Sequence, residues 1–554
     1  MKNGVNFDIS EKQKVLCNKN GITLIALVIT VIVMLILAGV AISVITDDGG
    51  LFDKTRGAAE AYENAAQREA QQINDIINDI DLYLSGLPVV PEKPKMDGRW
   101  NGKVNSPKLL EGMTAVYWDQ NGQEIELASS DPKEEWEKWY DYTEQTGSTS
   151  AVNSGTSRWA NAVTKDSNGN ITGYWVWIPR YEYKLTAPSS GAKAGVIDIN
   201  FISTDITTPS TSEYKIHPVF INDTAKGGWS SEIPGFWVAK YIAGFQKRTV
   251  NTSGVIINQN DQLVSSTLKY TDSSYTKNAL DQNVSASNCT NVNISYPVFK
   301  PLTYIYDCIN IDSMFRISQD IKNATNFYGL TNTADSHLMK NSEWGAVAYL
   351  AWSKYGRNAT EPHINNVYMG NAENSSKSMY GITGLAANNP TDSNSSGRFT
   401  GNPYNTPKGQ LASSTGNITG VYDLSGGVYE YVAAYIENTA GATNRTKYGA
   451  ALVANNENIE KYRSRYLSAS GDTNTSNWSA NSVLTRYGDA VLETSTSGSS
   501  SNGWNTDYSS FPYSSSPFFM RGGHWSDTTS AGLFMYNASS GAASYIIGFR
   551  ACIV

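Results

Sequence analysis

Between Ile22 and Thr46 the chain reads ITLIALVITVIVMLILAGVAISVIT, 25 residues without a charge. A helix rising about 1.5 Å per residue would let this run cross a hydrocarbon core of about 30 Å with length to spare. Lys2, Lys12, Lys14 and Lys19 precede the run, and Asp47 and Asp48 follow it. That asymmetry places the N-terminus on the cytoplasmic side of a single membrane crossing. A secretory signal peptide is the competing reading. Its apolar core is usually about 7–15 residues, shorter than this one, and no A-x-A-like cleavage site follows.

The helical pattern continues beyond the apolar run. Ala58, Ala61, Tyr62, Ala65, Ile73, Ile76, Ile77, Ile80 and Leu84 recur at helical spacing, with Glu60, Glu63, Arg68, Glu69 and Gln71 on the other face. Such a stripe packs either on the domain that follows or, as a stalk, on other helices of its kind. Pro88, Pro91 and Pro94 end the helix and stiffen a linker over 88–98. Residues 99–173 are expected to form a small appended segment with a Trp136, Trp139 and Tyr140 cluster in an acidic helix-like run. No function is read from it.

The start of the apolar run, Asn20-Gly21-Ile22-Thr23-Leu24-Ile25-Ala26-Leu27, resembles the type IV prepilin processing motif. The resemblance implies a leader over 1–21, cleavage between Gly21 and Ile22, methylation of the new N-terminus, and a pilin-like helix over 22–87. Ala26 stands where pilins usually carry glutamate. That departure argues against ordinary packing along a filament, and some minor pilins at a tip share it.

The remainder is long enough for more than one ordinary domain, at 554 residues in all. Charged residues are only 17%, below the roughly 25% usual for soluble domains. Asn, Ser, Thr, Gly and 33 tyrosines supply the polarity, a surface-protein composition. The net charge of −8 argues against a nucleic-acid partner. Tyr174–Tyr181 and Phe236–Tyr241 are apolar and aromatic runs that read as strands, their rings serving core packing or sugar binding. Glu343 to Gly356 reads as a helix with Trp344, Val347, Ala348 and Ala351 on one face. Residues 358–419 and 492–517 are rich in turn formers and read as loops.

The last stretch, Arg521 to Val554, has two ends that look like framework: Arg521-Gly522-Gly523-x-Trp525 and Ile547-Gly548-Phe549-Arg550. An arginine fork at each end suits carboxylates or carbonyls. This stretch resembles the C-terminus of the formylglycine-generating-enzyme branch of the C-type lectin fold. More narrowly, it resembles variable proteins of diversity-generating retroelements. Ser342–Tyr349 (SEWGAVAY) is similar to that family's "EAEWEYAA" helix, and Gly420–Tyr431 (GVYDLSGGVYEY) to its "GLYDMSGNVWEW" segment. The fold class expected is therefore α+β: a lectin-like domain over 174–554 with short strands, few helices and long loops, preceded by the pilin-like helix.

The chemistry of that family divides the functions open to this chain. The enzymes need a cysteine pair in the C-terminal stretch to activate oxygen through copper. Here no cysteine lies between Trp525 and Phe549, and Cys552 is expected to pack as a small apolar residue. The four cysteines, Cys17, Cys289, Cys308 and Cys552, and the four scattered histidines show no zinc-type spacing. Cys289 and Cys308 are free to pair or not. No metal ligand or cofactor is assigned. A structural calcium near Gly427–Glu430 stays open, with Gly427 replacing an asparagine ligand and Glu430 retained.

What remains is a binding face. His524, Ser526, Asp527, Thr528, Ser530, Tyr536, Asn537, Ala538, Ser540, Ser544 and Tyr545 lie between the two fixed ends and are the candidate ligand contacts, with Trp525, Phe534 and Phe549 assigned to the core. Tyr, Ser, Gly and Asn are what paratopes favour. Many of these residues are also reachable from an asparagine codon by changing adenines alone, as retroelement mutagenesis would do. An ordinary exposed loop is the plain alternative. The function expected is an adhesin or receptor at the cell surface, on a pilus or in the membrane, with a protein or glycan ligand on another cell or phage surface. The alternatives are an enzyme of the formylglycine branch and a pilus subunit without ligand.

Overall fold

The computed structural model describes residues 104–145, 156–249, 296–307, 309–369, 380–392, 401–437, 442–483 and 486–554. The leader and processing site at Gly21 and Ile22, the helix over 22–87, the linker, Cys17, Cys289 and Cys308 lie outside the described residues. Among the described residues no helix is long and apolar enough to cross a membrane.

The two aromatic runs become neighbouring strands, Ile171–Pro179 and Gly235–Ala239. They pair antiparallel, with Trp175 opposite Ala239 and Trp177 opposite Trp237. Trp175, Trp177 and Trp237 are buried, so their rings serve packing. These strands sit inside a seven-stranded antiparallel sheet. Its order is Ser336–Leu338, Ala551–Ile553, Gly235–Ala239, Ile171–Pro179, Asn161–Lys165, Met113–Trp118 and Glu124–Glu126.

Three of those strands come from the region expected to be an appendage. The boundary at residue 173 is therefore corrected: Met113–Trp118, Glu124–Glu126 and Asn161–Lys165 share one sheet with Ile171–Pro179 and Gly235–Ala239. The reason lies in the tryptophans. Trp136, Trp139 and Tyr140 are buried. The Trp139 ring stacks on Trp237 at 6.5 Å, and its Nε1 donates to the Asn161 carbonyl at 2.7 Å. Burial of this much aromatic surface holds the region to the sheet.

A second sheet carries the C-terminal stretch. Its order is Ser464–Leu467, Tyr429–Glu437, Phe518–Gly522 and Gly532–Ser539, and Ile547–Phe549 pairs with the start of Tyr429–Glu437. Arg550 stands between Ile547–Phe549 in this sheet and Ala551–Ile553 in the other. The molecule is thus a mixed α/β structure with few helices and mostly strands.

The helix expected from Glu343 runs instead from Asn341 to Trp352, and all of its residues are buried. A helix apolar on every side belongs in a core rather than on a surface. Trp344 donates through Nε1 to the Leu533 carbonyl at 2.9 Å, so the helix touches the strand Gly532–Ser539 directly. At Gly345 an added Cβ would lie 2.0 Å from the Gly488 carbonyl oxygen, which is why only glycine fits there.

Candidate functional site

Two buried arginines hold the ends of the stretch. Arg550 grips Glu430 bidentately, Nε to Oε2 at 3.0 Å and Nη2 to Oε1 at 2.8 Å, and also donates to the carbonyls of Ala239 and Tyr422 at 2.8 Å each. Arg521 donates to Asn341 Oδ1 at 3.2 Å and to the carbonyls of Asp489 (3.1 Å) and Ala490 (2.9 Å), with its guanidinium 5.3 Å from the Trp344 ring. Such forks fix geometry as well as neutralise charge. Gly522 and Gly523, at φ of 80° and 81°, turn the chain away from the sheet toward His524.

The turn after Gly523 is closed by Asp527. Its carboxylate accepts the His524 backbone N–H at 3.0 Å and faces His524 Nδ1 at 3.0 Å. Burial alone would raise the Asp527 carboxyl, but hydrogen bonding and charge from His524 outweigh it and hold it below the usual range. The His524 ring stacks on Trp525 at 5.3 Å and faces Tyr429 at 4.9 Å. Tyr368 stacks on Trp525 from another side at 5.2 Å, and Tyr545 lies 6.4 Å from it. The result is a row of rings, Tyr368, Trp525, His524 and Tyr429, flanked by Tyr545. Burial, then the charge of Asp527, raises the Tyr429 hydroxyl well above the usual tyrosine range.

Most of the candidate contacts are at least partly exposed. Ser526 is exposed, and His524, Asp527, Thr528, Ser530, Asn537, Ala538, Ser540, Ser544 and Tyr545 are half-buried. Tyr536 is the correction. It is wholly buried, its ring 6.4 Å from both Phe511 and Phe519, its hydroxyl bonded to Ser495 Oγ (3.0 Å) and the Ser497 carbonyl (3.1 Å). Leu533, Phe534, Met535 and Tyr536 form an unbroken buried run, the mark of a strand covered on both faces. Trp525, Phe534 and Phe549 are core, as expected.

Sequence reasoning missed Tyr368, Tyr429 and Tyr508. Tyr429 was within reach: alternation along Tyr429–Tyr431 puts it on the opposite face from Glu430, which Arg550 claims. Tyr508 is half-buried and stitches the loop over 492–517 to the stretch, donating its N–H to the Ser530 carbonyl at 3.0 Å and accepting from Tyr536 N at 3.1 Å.

Beneath the strand lies a carboxylate pair. Glu361 accepts Leu533 N at 3.2 Å and Asn505 Nδ2 at 2.6 Å, and Asp507 accepts Phe534 N at 2.9 Å. Burial pushes Glu361 up to about 7 and Asp507 well above the ordinary carboxylate range, the charge of Glu361 adding to the latter.

Calcium does not fit at Gly427–Glu430. Both Glu430 oxygens are taken by Arg550 and Gly427 offers no side-chain oxygen, so an ion there would have to displace a buried guanidinium. The fold also gathers His337, Glu343 and Cys552, whose potential ligand atoms lie within 4.8 Å of one another. Glu343 accepts from His337 Nε2 at 2.7 Å and from Lys340 N at 2.8 Å, with the Lys340 ammonium 3.9 Å away. These contacts satisfy the carboxylate at the start of the central helix. Cys552 is wholly buried, and burial raises its thiol well above the usual range, which suits packing rather than thiolate chemistry.

No protein-family model and no curated protein matches this chain.

Proposed function

We propose that the chain is a cell-surface ligand-binding protein, an adhesin or receptor, whose C-terminal stretch lies on a C-type lectin-like domain of the formylglycine-generating branch. A pilin-like helix displays it, as a minor or tip pilin or in the membrane. The observation that carries the binding half is the set of half-buried rings Tyr368, His524 and Tyr429 around the buried Trp525. Rigid rings with polar edges give contact area at low entropic cost, and half-buried Ser, Thr and Asn neighbours supply adjustable hydrogen bonds. The buried arginines keep that surface in place whatever its exposed residues are.

The purified chain is applied to a glycan array and to a panel of bacterial and host surface proteins. Replacing His524 and Tyr545 together by alanine lowers binding to any hit at least about tenfold, a loss typical of interface anchors, and leaves the thermal midpoint within a few degrees. Unchanged affinity in a folded double variant sinks this site. The display half is checked by mass spectrometry of the mature protein, where a methylated N-terminus at Ile22 is expected and an intact Met1 contradicts it.

A further inference from the structure

Lys240 follows the strand Gly235–Ala239 and is wholly buried. Its Nζ lies 2.7 Å from Asn161 Oδ1 and 2.5 Å from the Ile418 carbonyl. Asn161, also wholly buried, opens the strand Asn161–Lys165. The two residues flank the strand Ile171–Pro179: Asn161 pairs with Val176, and the Lys240 backbone N–H bonds to the Tyr174 carbonyl. The lysine therefore reaches across one whole strand to meet the amide. The amide's other half fixes its orientation, since Nδ2 donates to the carbonyls of Trp159 at 2.9 Å and Thr419 at 2.8 Å.

Aromatic rings close the compartment. The Trp118 ring centre is 4.1 Å from Nζ and that of Tyr422 is 5.8 Å away. Tyr174 stacks beside Trp118 at 6.5 Å and donates its hydroxyl to Glu124 at 2.9 Å. Glu124 and Lys240 act on each other electrostatically. Burial drives Lys240 well below the usual lysine range and raises Glu124 above the usual carboxylate range. A desolvated lysine amine is a nucleophile.

We propose that Lys240 and Asn161 join in an intramolecular isopeptide bond. The neutral Nζ attacks Cγ of Asn161, forming the Nζ–Cγ bond while the carbonyl electron pair moves to Oδ1. The proton released from Nζ is taken up by Nδ2. The carbonyl re-forms, the Cγ–Nδ2 bond breaks and ammonia leaves. One amine and one amide give one amide and one ammonia, so nothing is oxidised or reduced and no co-reactant enters. The product ties Asn161–Lys165 to Gly235–Ala239 across the strand between them, closing a loop of 79 residues in sequence. Such a covalent tie limits the unfolded chain as a disulfide does.

The test is peptide mass spectrometry of the full chain, purified in detergent, folded, then denatured and digested. The expected result is one branched peptide joining the segments that contain Asn161 and Lys240, lighter than their sum by one ammonia. Asn161→Asp should give the same branched mass by losing water instead. If the folded wild-type protein yields the two peptides separately at unmodified mass, Lys240 is a buried ammonium held by Asn161 and Trp118 and the proposal is wrong. That measurement needs no variant, so a substitution that fails to fold does not blunt it.

Discussion

Arg550 and Arg521 meet the cost of burial in different ways. Arg550 has a carboxylate and two carbonyls, whereas Arg521 relies on Asn341, backbone carbonyls and the face of Trp344, and burial brings it down to about 10. The Glu361 and Asp507 carboxyls present the opposite problem, a half-buried and a buried acid raised together under the C-terminal stretch. Folding raises both, so their contribution to stability is fully present below the ordinary value of 4.5 for Glu361 and is lost as pH rises through about 7. Each such group changes stability by up to about 1.4 kcal/mol per pH unit inside its window. Thermal or urea denaturation should therefore show stability falling between pH 5 and 8, and Glu361→Gln should flatten that fall. Equal slopes in variant and wild type would show that the pair is not what titrates.

At the scale of the element, the strand Gly532–Ser539 changes character along its length: buried through Tyr536, half-buried from Asn537 onward. Tyr536→Ala should leave a cavity costing roughly 3–5 kcal/mol, while Tyr545→Ala should cost less than about 1 kcal/mol; denaturation of the two single variants compares them, and similar losses would reject this division of the stretch. Much of this was legible in the residues. The arginine ends, the strands around Trp175 and Trp237, and the buried Trp525, Phe534 and Phe549 all follow from local pattern. Tyr536 did not, because a tyrosine among Ser, Asn and Gly has a surface composition. Only its distant partners, Phe511, Phe519 and Ser495, reveal a covered site. Burial on both faces removes the alternation that would have signalled a strand with one wet side.

Across the whole molecule, residues over 99–173 were illegible for a related reason. Their strands are short, and contacts such as Asn161 Nδ2 to the Thr419 carbonyl span 258 positions. A chain beginning at residue 174 lacks three of the seven strands, trims the start of a fourth and bares the Trp237 ring that Trp139 covers. It should show no cooperative melting by circular dichroism, whereas a chain beginning at 104 should; equal transitions in both would restore the appendage. The strand Ala551–Ile553 lies between Ser336–Leu338 and Gly235–Ala239, downstream of every candidate contact. A nonsense or frameshift error anywhere from His524 to Tyr545 therefore deletes both Arg550 and an interior strand of the larger sheet. Misread versions of the stretch are eliminated by misfolding, so the reading frame of the candidate contacts is proofread by the core.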